Sequence, residues 1–340
     1  MQLHFEAVAE TEPGSVWLGL FERHWAVYQT WFLSEGDAQR PSYLQTRRML
    51  RKHMPELVAT YERLVELAGG TDLAARFLGL YRPPPYISGC SQAVWPDERQ
   101  PLLVRNYDYS PALCEGTLLY SRWNGRRVIA MGDCLWGVLD GMNDAGLAVS
   151  LSFGGRRVVG DGFGVPVILR YVLEFCETAD QAAQALGRIP THMSYNVTVL
   201  DRHRRFLTAF LAPDRAPVIR QLPVATNHQG RIEWREHAEA TASLQRERFL
   251  FFRLADSEET EPGFIQSFLR KPLYSRAYGH GFGTLYTSVY RPLRGEMELR
   301  WPNALWRQSF DSFQKDTHTV RYEAAPEPKT APQPTPADTQ

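Results

Sequence analysis

Apolar positions recur at two different spacings along this chain, and the change between them falls near residue 100. Before it, Leu57, Tyr61, Leu64, Val65 and Ala68 follow the i, i+3, i+4, i+7 pattern of one buried helix face, which Gly69 and Gly70 stop. A second helical run, Leu73 to Leu80, ends at Tyr81-Arg82-Pro83-Pro84-Pro85, where three prolines remove backbone donors and force an extended connection. Beyond residue 101 the period drops to two, which predicts strands at 102–109, 117–123, 127–131 and 147–153. Asn124-Gly125 reads as a two-residue hairpin turn between the second and third. Two helices follow, one opened by Pro166 and one with Asp180 at its N-cap. Strands at 196–200, 206–211 and 218–225, a helix over 241–254, and strands at 284–290 and 296–301 complete the pattern.

Grouped strands with paired helices predict two antiparallel sheets packed face to face with helices outside, an α+β architecture. Residues 323–340 carry five prolines and no aromatic side chain, and are expected to form a disordered tail. With 340 residues, the chain exceeds what one hydrophobic core usually supports, so a domain plus an accessory segment is expected. Equal numbers of basic and acidic residues, 38 of each, leave no positive surplus for phosphate backbones or anionic lipid. Nucleic-acid and membrane partners are therefore not expected. Four scattered cysteines form neither a zinc pattern nor a disulfide scaffold, no histidine pair has metal-ligand spacing, and the first ten residues lack a signal-peptide pattern. A cytoplasmic, metal-free protein is the expectation.

The candidate chemistry begins at Ser88-Gly89-Cys90-Ser91, between the proline boundary and the strands. A cysteine thiol is nucleophilic even with a small thiolate fraction, and the preceding glycine permits strained or positive-φ geometry that exposes the Gly89 carbonyl to it. Hydrolysis of the resulting thioester would make Cys90 an N-terminus, whose α-amine, with an ordinary pKa of roughly 7.7–8.0, suits general-base work. A buried core thiol is the plain alternative. Arg105 and Asp108 lie on opposite faces of an ideal strand, so one of them, or both across a bulge, can point toward the thiol. Asn227, at a strand end, is the donor type an oxyanion hole uses, and the adjacent His228 is the runner-up base. Gly279 to Gly283 precedes a strand and reads as a lip over a pocket, not a phosphate loop.

Tyr86 to Ser110, Asp140 to Ser150, Leu169 to Thr178, Tyr195 to Thr198 and Thr226 to His228 together resemble the acyl-coenzyme A:6-aminopenicillanic acid acyltransferase family of N-terminal-nucleophile hydrolases, with penicillin V acylase and choloylglycine hydrolase as distant relatives. The resemblance implies a four-layer αββα sandwich with a helical pro-segment, residues 1–89, a catalytic domain, residues 90–322, and self-cleavage at Gly89-Cys90 that leaves a heterodimer. It implies Cys90 as nucleophile, Arg105 and Asp108 as the flanking RxxD pair, and Asn227 in the oxyanion hole. It further implies Arg246 of Ser243-Leu244-Gln245-Arg246 as the supporting arginine, with Arg248 left as the alternative, and Ser152 and Phe153 at the substrate. The implied activity is a cysteine amidohydrolase or acyltransferase on a small acyl amide or thioester. No cofactor is implied, beyond acyl-coenzyme A as an acyl donor. A catalytically silent binding member, and an unprocessed Cys/His thiol hydrolase using His228, are the alternatives.

Overall fold

The chain opens with a strand that its helical leader conceals. In the computed structural model, which describes residues 1–323, β1 (Gln2–Glu10) precedes α1 (Ser15–Phe32), α2 (Tyr43–His53), α3 (Val58–Leu67) and α4 (Asp72–Leu78). The strands β2 (Gly89–Trp95), β3 (Leu102–Tyr109), β4 (Thr117–Ser121), β5 (Val128–Asp133), β6 (Gly137–Asn143) and β7 (Leu147–Phe153) lead to α5 (Val165–Phe175) and α6 (Ala179–Arg188). Next come β8 (Tyr195–Asp201), β9 (Phe206–Leu211), β10 (Val218–Arg220) and β11 (Val224–Ala225), and then α7 (Arg235–Ala240), α8 (Ser243–Ala255) and α9 (Glu261–Ser267). The last strands are β12 (Gly283–Arg291), β13 (Glu296–Trp301), β14 (Ala304–Ser309) and β15 (Asp316–Arg321). The expected disordered tail lies, from residue 324 on, outside the described residues.

The strands form a nine-stranded sheet, ordered β10-β9-β8-β7-β6-β5-β4-β1-β15, and a six-stranded sheet, ordered β11-β2-β3-β12-β13-β14. Their inner faces meet, with β2 and β3 lying over β7 and β8. Helices α5 and α6 cover the outside of the larger sheet. On the outside of the smaller one, Leu250 of α8 and Phe264 and Ile265 of α9 pack on Ala93, Val104, Val224 and Val289. The result is the αββα sandwich. Burying each large apolar side chain on those outer faces contributes roughly 1.5–3 kcal/mol, which holds the helices to the sheets.

Several local expectations need correction. The leader is not only helical, because β1 pairs in parallel with β4 and antiparallel with β15 inside the larger sheet. The run 218–225 is two strands in different sheets, since the chain crosses over at Gln221–Pro223 and Pro223 has no N–H to continue a ladder. The helix expected at 241–254 is α8, which starts two residues later because Ala242, at φ 49°, separates it from α7, a short helix the pattern did not show. Thr178, not Asp180, caps α6 through its hydroxyl, and the link from β4 to β5 is wider than two residues, with only Gly125 at positive φ. The glycine pair that ends α3 does take the left-handed conformation, at φ 84° and 66°.

Candidate active site

Cys90 is the second residue of β2, inside the smaller sheet and not in a loop before it, and it is fully buried. Gly89 does not have positive φ, so the expected backbone strain is absent. Its requirement is space. A Cβ there would meet the Phe282 ring at 2.9 Å and the Asp108 Cβ at 3.3 Å, which also makes Phe282 of the 279–283 loop a lip over the junction. Gly89→Ala is therefore expected to displace the scissile peptide and slow self-cleavage by about 100-fold, read from the mass of the chain over time. Cleavage at the wild-type rate would remove this steric role.

Antiparallel pairing sets Cys90 opposite Tyr107 and Gly89 opposite Asp108, so the alternation of the strands sorts the RxxD pair onto two faces. Arg105 shares the inner face with the thiol and donates from Nη2 to Cys90 Sγ at 3.3 Å. The same guanidinium binds Leu151 O at 2.8 Å and the Asp140 carboxylate, and it lies over the Tyr107 ring at 4.6 Å. Asp140 is in turn held by the Tyr286 and Tyr290 hydroxyls, at 2.8 and 2.6 Å. Asp108 points to the other face and does not touch the thiol through its side chain. There it accepts from Thr284 Oγ1 at 2.6 Å and from Arg246 Nη1 at 3.0 Å.

Asn227 joins the two faces. Its Oδ1 accepts from Cys90 N at 3.0 Å and from Arg246 Nη2 at 2.7 Å, while Nδ2 donates to Ser88 O at 3.2 Å and Phe153 O at 3.1 Å. Two donors on one end and two carbonyls on the other fix the orientation of the amide. The side chain thus straddles the segment that carries the scissile bond. Arg246 is buried with Asp108, Ser91 and Asn227 as partners, whereas Arg248 is exposed. Ser243 supports the loop by accepting from Asn227 N at 2.8 Å.

Two expected site residues have other work. Ser152 donates to Thr226 O at 2.7 Å and sits in a polar network between the sheets with Gln92 and Asn196, away from the thiol. Phe153 offers its carbonyl to Asn227 and turns its ring to Trp234 and His237. His228 is not placed as a base, since its ring faces α8, with Nδ1 2.9 Å from Ser243 Oγ and Nε2 3.2 Å from Glu247. Asn227 and His228 lie in a bend past the end of β11, which turns the two side chains to different partners. The unforeseen members are Ser88, with Oγ 3.8 Å from Sγ, and the pair Thr284 and Tyr286, which the β12 register shift between Thr284 and Tyr286 brings to the opposite faces. Ser88 is signalled only by its place in the motif around Cys90, and Thr284 and Tyr286 only by theirs on the strand after the glycine loop.

Burial pushes the Cys90 thiol above its ordinary pKa, and the Arg105 guanidinium opposes that rise. Burial likewise raises Asp108 while Arg246 opposes it. The raised value favours the protonated thiol over the thiolate at Cys90.

Comparison with known proteins places this constellation. The profile of the family described as acyl-coenzyme A:6-aminopenicillanic acid acyl-transferase matches residues 95–306, more than half of the chain. The chain belongs to that family. The matched span holds Arg105, Asp108, Asn227 and Arg246 but starts beyond Cys90. Among solved structures, a mutant conjugated bile acid hydrolase from Clostridium perfringens is 13% identical, at a TM-score of 0.46, over 69% of this chain and 97% of its own. Penicillin V acylase from Agrobacterium tumefaciens is 14% identical, at 0.47, over 68% and 90%. A Caenorhabditis elegans ortholog of N-acylethanolamine-hydrolyzing acid amidase is 18% identical, at 0.46, over 68% and 100%. No curated protein matches the chain. Among the described residues, no helix is long and apolar enough to cross a membrane.

Proposed function

We propose that this family member is a self-processing cysteine amidohydrolase or acyltransferase that acts on a linear amide or thioester bond of an acylated small molecule. One observation carries the reading: the Asn227 amide grips Cys90 N with one end and Ser88 O with the other, while Arg105 holds Sγ. In self-cleavage, Sγ adds to the Gly89 carbonyl carbon, the C–N bond breaks, and the thiol proton passes to the departing nitrogen. Water then hydrolyses the Gly89 thioester, leaving a Gly89 carboxylate, a free thiol and a Cys90 α-amine.

The cut changes what each group can do. While the chain is whole the thiol is fully buried, so no external acyl group reaches it. Once residues 88 and 89 are free to withdraw, Asn227 Nδ2 loses the Ser88 carbonyl and becomes a donor for a substrate oxyanion. The new α-amine stays on Asn227 Oδ1 and takes the thiol proton, which the raised thiol pKa otherwise retains. The acyl-enzyme on Cys90 then passes to water or to an amine, and an acyl-coenzyme A is among the thioesters that would load it. The leader stays bound as a subunit through β1, which is enclosed between β4 and β15.

Asn227→Ala removes the oxyanion donor and the tether on Cys90 N, and is expected to lower kcat by about 100- to 1,000-fold. The test of the function is trapping: an acyl-amide or acyl-thioester probe quenched in acid should leave one acyl group on Cys90, located by peptide mass. An adduct at another residue, or turnover with none at Cys90, would overturn the assignment.

A further inference from the structure

Near the Cys90 thiol lies a small cavity, open to solvent, that self-cleavage does not use. Its leader side is Tyr28 and Trp31 of α1 with Tyr86, and its other side is Tyr109, Glu115 and Asp133. Trp31 stands edge-on to both Tyr28 and Tyr86, at 6.2 and 6.1 Å between ring centres. Tyr109 stacks at 5.4 Å on Tyr107, the ring beneath the Arg105 guanidinium, so the cavity adjoins the thiol through two aromatic side chains.

The two carboxylates are short of protons. The single hydroxyl hydrogen of Tyr28 faces both Glu115 and, at 3.1 Å, Asp133, while the hydroxyl oxygen accepts from Cys134 N at 2.9 Å. Glu115 has a further donor in Leu135 N at 2.9 Å. Among the described residues, no lysine or arginine lines the cavity. Burial first, and Glu115 second, push the Asp133 carboxyl up to about 7, as expected of negative charge that lacks a partner. A second observation is independent of the acids. Tyr86 lines the same space, is only 9% exposed, and its buried hydroxyl makes no hydrogen bond within 3.5 Å among the described residues, the Tyr195 hydroxyl being the neighbouring polar group.

Carboxylates walled by aromatic rings are the surroundings that bind an organic cation, since ring faces and carboxylates both attract it. We propose that this cavity is a subsite for an ammonium group of the substrate, which makes the preferred substrate an acyl amide that also carries a free or quaternary amine. The inference rests on Cys90 being the nucleophile of the adjacent site. It also gives the leader a lasting part in specificity, because three of the four rings lie in residues 1–89.

The test separates the subsite from the chemistry. Uncut Cys90→Ala chain is titrated calorimetrically with a phenylalkyl ammonium and with its neutral hydroxyl isostere. The ammonium is expected to bind at least roughly 10-fold tighter, and Asp133→Asn on the same background is expected to erase that difference. On cleaved enzyme with Cys90 intact, the ratio of kcat/KM for an ammonium-bearing acyl amide over its neutral match should likewise exceed about 10 and fall toward one in Asp133→Asn. Should the Asp133 variant fail to fold, Trp31→Ala replaces it, and is expected to weaken the ammonium more than the isostere. Equal affinities, no binding of the ammonium, or a preference that survives these changes would overturn the subsite. A charge preference in the titration without turnover by cleaved enzyme would leave the subsite standing and refute the catalytic reading instead.

Discussion

Replacing Cys90 with alanine is expected to leave the chain at its full 38.9 kDa and to lower amide turnover by about 10,000-fold or more, because nucleophile and prospective base are lost together. The two losses share a cause. Without Sγ the Gly89 carbonyl has no attacking atom, so no α-amine forms, and the Asn227 amide remains engaged with Ser88. Cys90→Ser distinguishes chemistry from packing, since a hydroxyl fits the same space but is a weaker nucleophile. It should cleave slowly, and its residual turnover should rise with the fraction of chain cut. Wild-type turnover by Cys90→Ala would place the chemistry elsewhere.

The second large effect is expected at Arg105. This guanidinium and Asp140 are both fully buried, so Arg105→Leu leaves a carboxylate with only the Tyr286 and Tyr290 hydroxyls to hold its charge. Breaking a buried pair from one side costs about 3–5 kcal/mol, and that loss of unfolding free energy should appear in urea titration. Cleavage should stop as well. Arg105→Lys keeps the charge but not the planar fork that spans Leu151 O, Asp140 and Sγ. It should retain most of the stability while slowing cleavage roughly 10-fold or more. Unchanged stability and cleavage in Arg105→Leu would contradict both roles.

Periodicity made the sandwich legible where one set of alternate positions is apolar, as in β7 and β8, even though both faces of those strands are buried. It failed where small and polar residues fall on both sets. The inner strand β2 carries Gly89, Ser91 and Gln92, and β6 carries Asp140, Gly141 and Asn143, so neither shows an apolar alternation. β1 was hidden because its pairing partners, β4 and β15, lie more than a hundred residues away in sequence. The opposite placement of Arg105 and Asp108 followed from strand geometry alone, Asn227 was singled out by its place at a strand end, and Arg246 was named through the resemblance. What sequence spacing does not encode is the meeting of distant strand positions. Asp140 reaches Arg105 only because the two sheets face each other, and Tyr28 reaches Glu115 and Asp133 only because α1 folds back over β4 and β5. Ser152 shares the inner face with the thiol but is taken up by Thr226, Gln92 and Asn196, and His228 turns to α8, partners that sequence spacing likewise does not encode.

The account depends on Cys90 becoming an N-terminus. Intact-mass measurement of freshly purified wild-type protein, followed by N-terminal sequencing, addresses that directly. The predicted result is two associated fragments, residues 1–89 and 90–340, the larger beginning at Cys90, with acyl-amide turnover proportional to the fraction cut. A single uncut chain of 38.9 kDa that turns over acyl amides at full rate would contradict it.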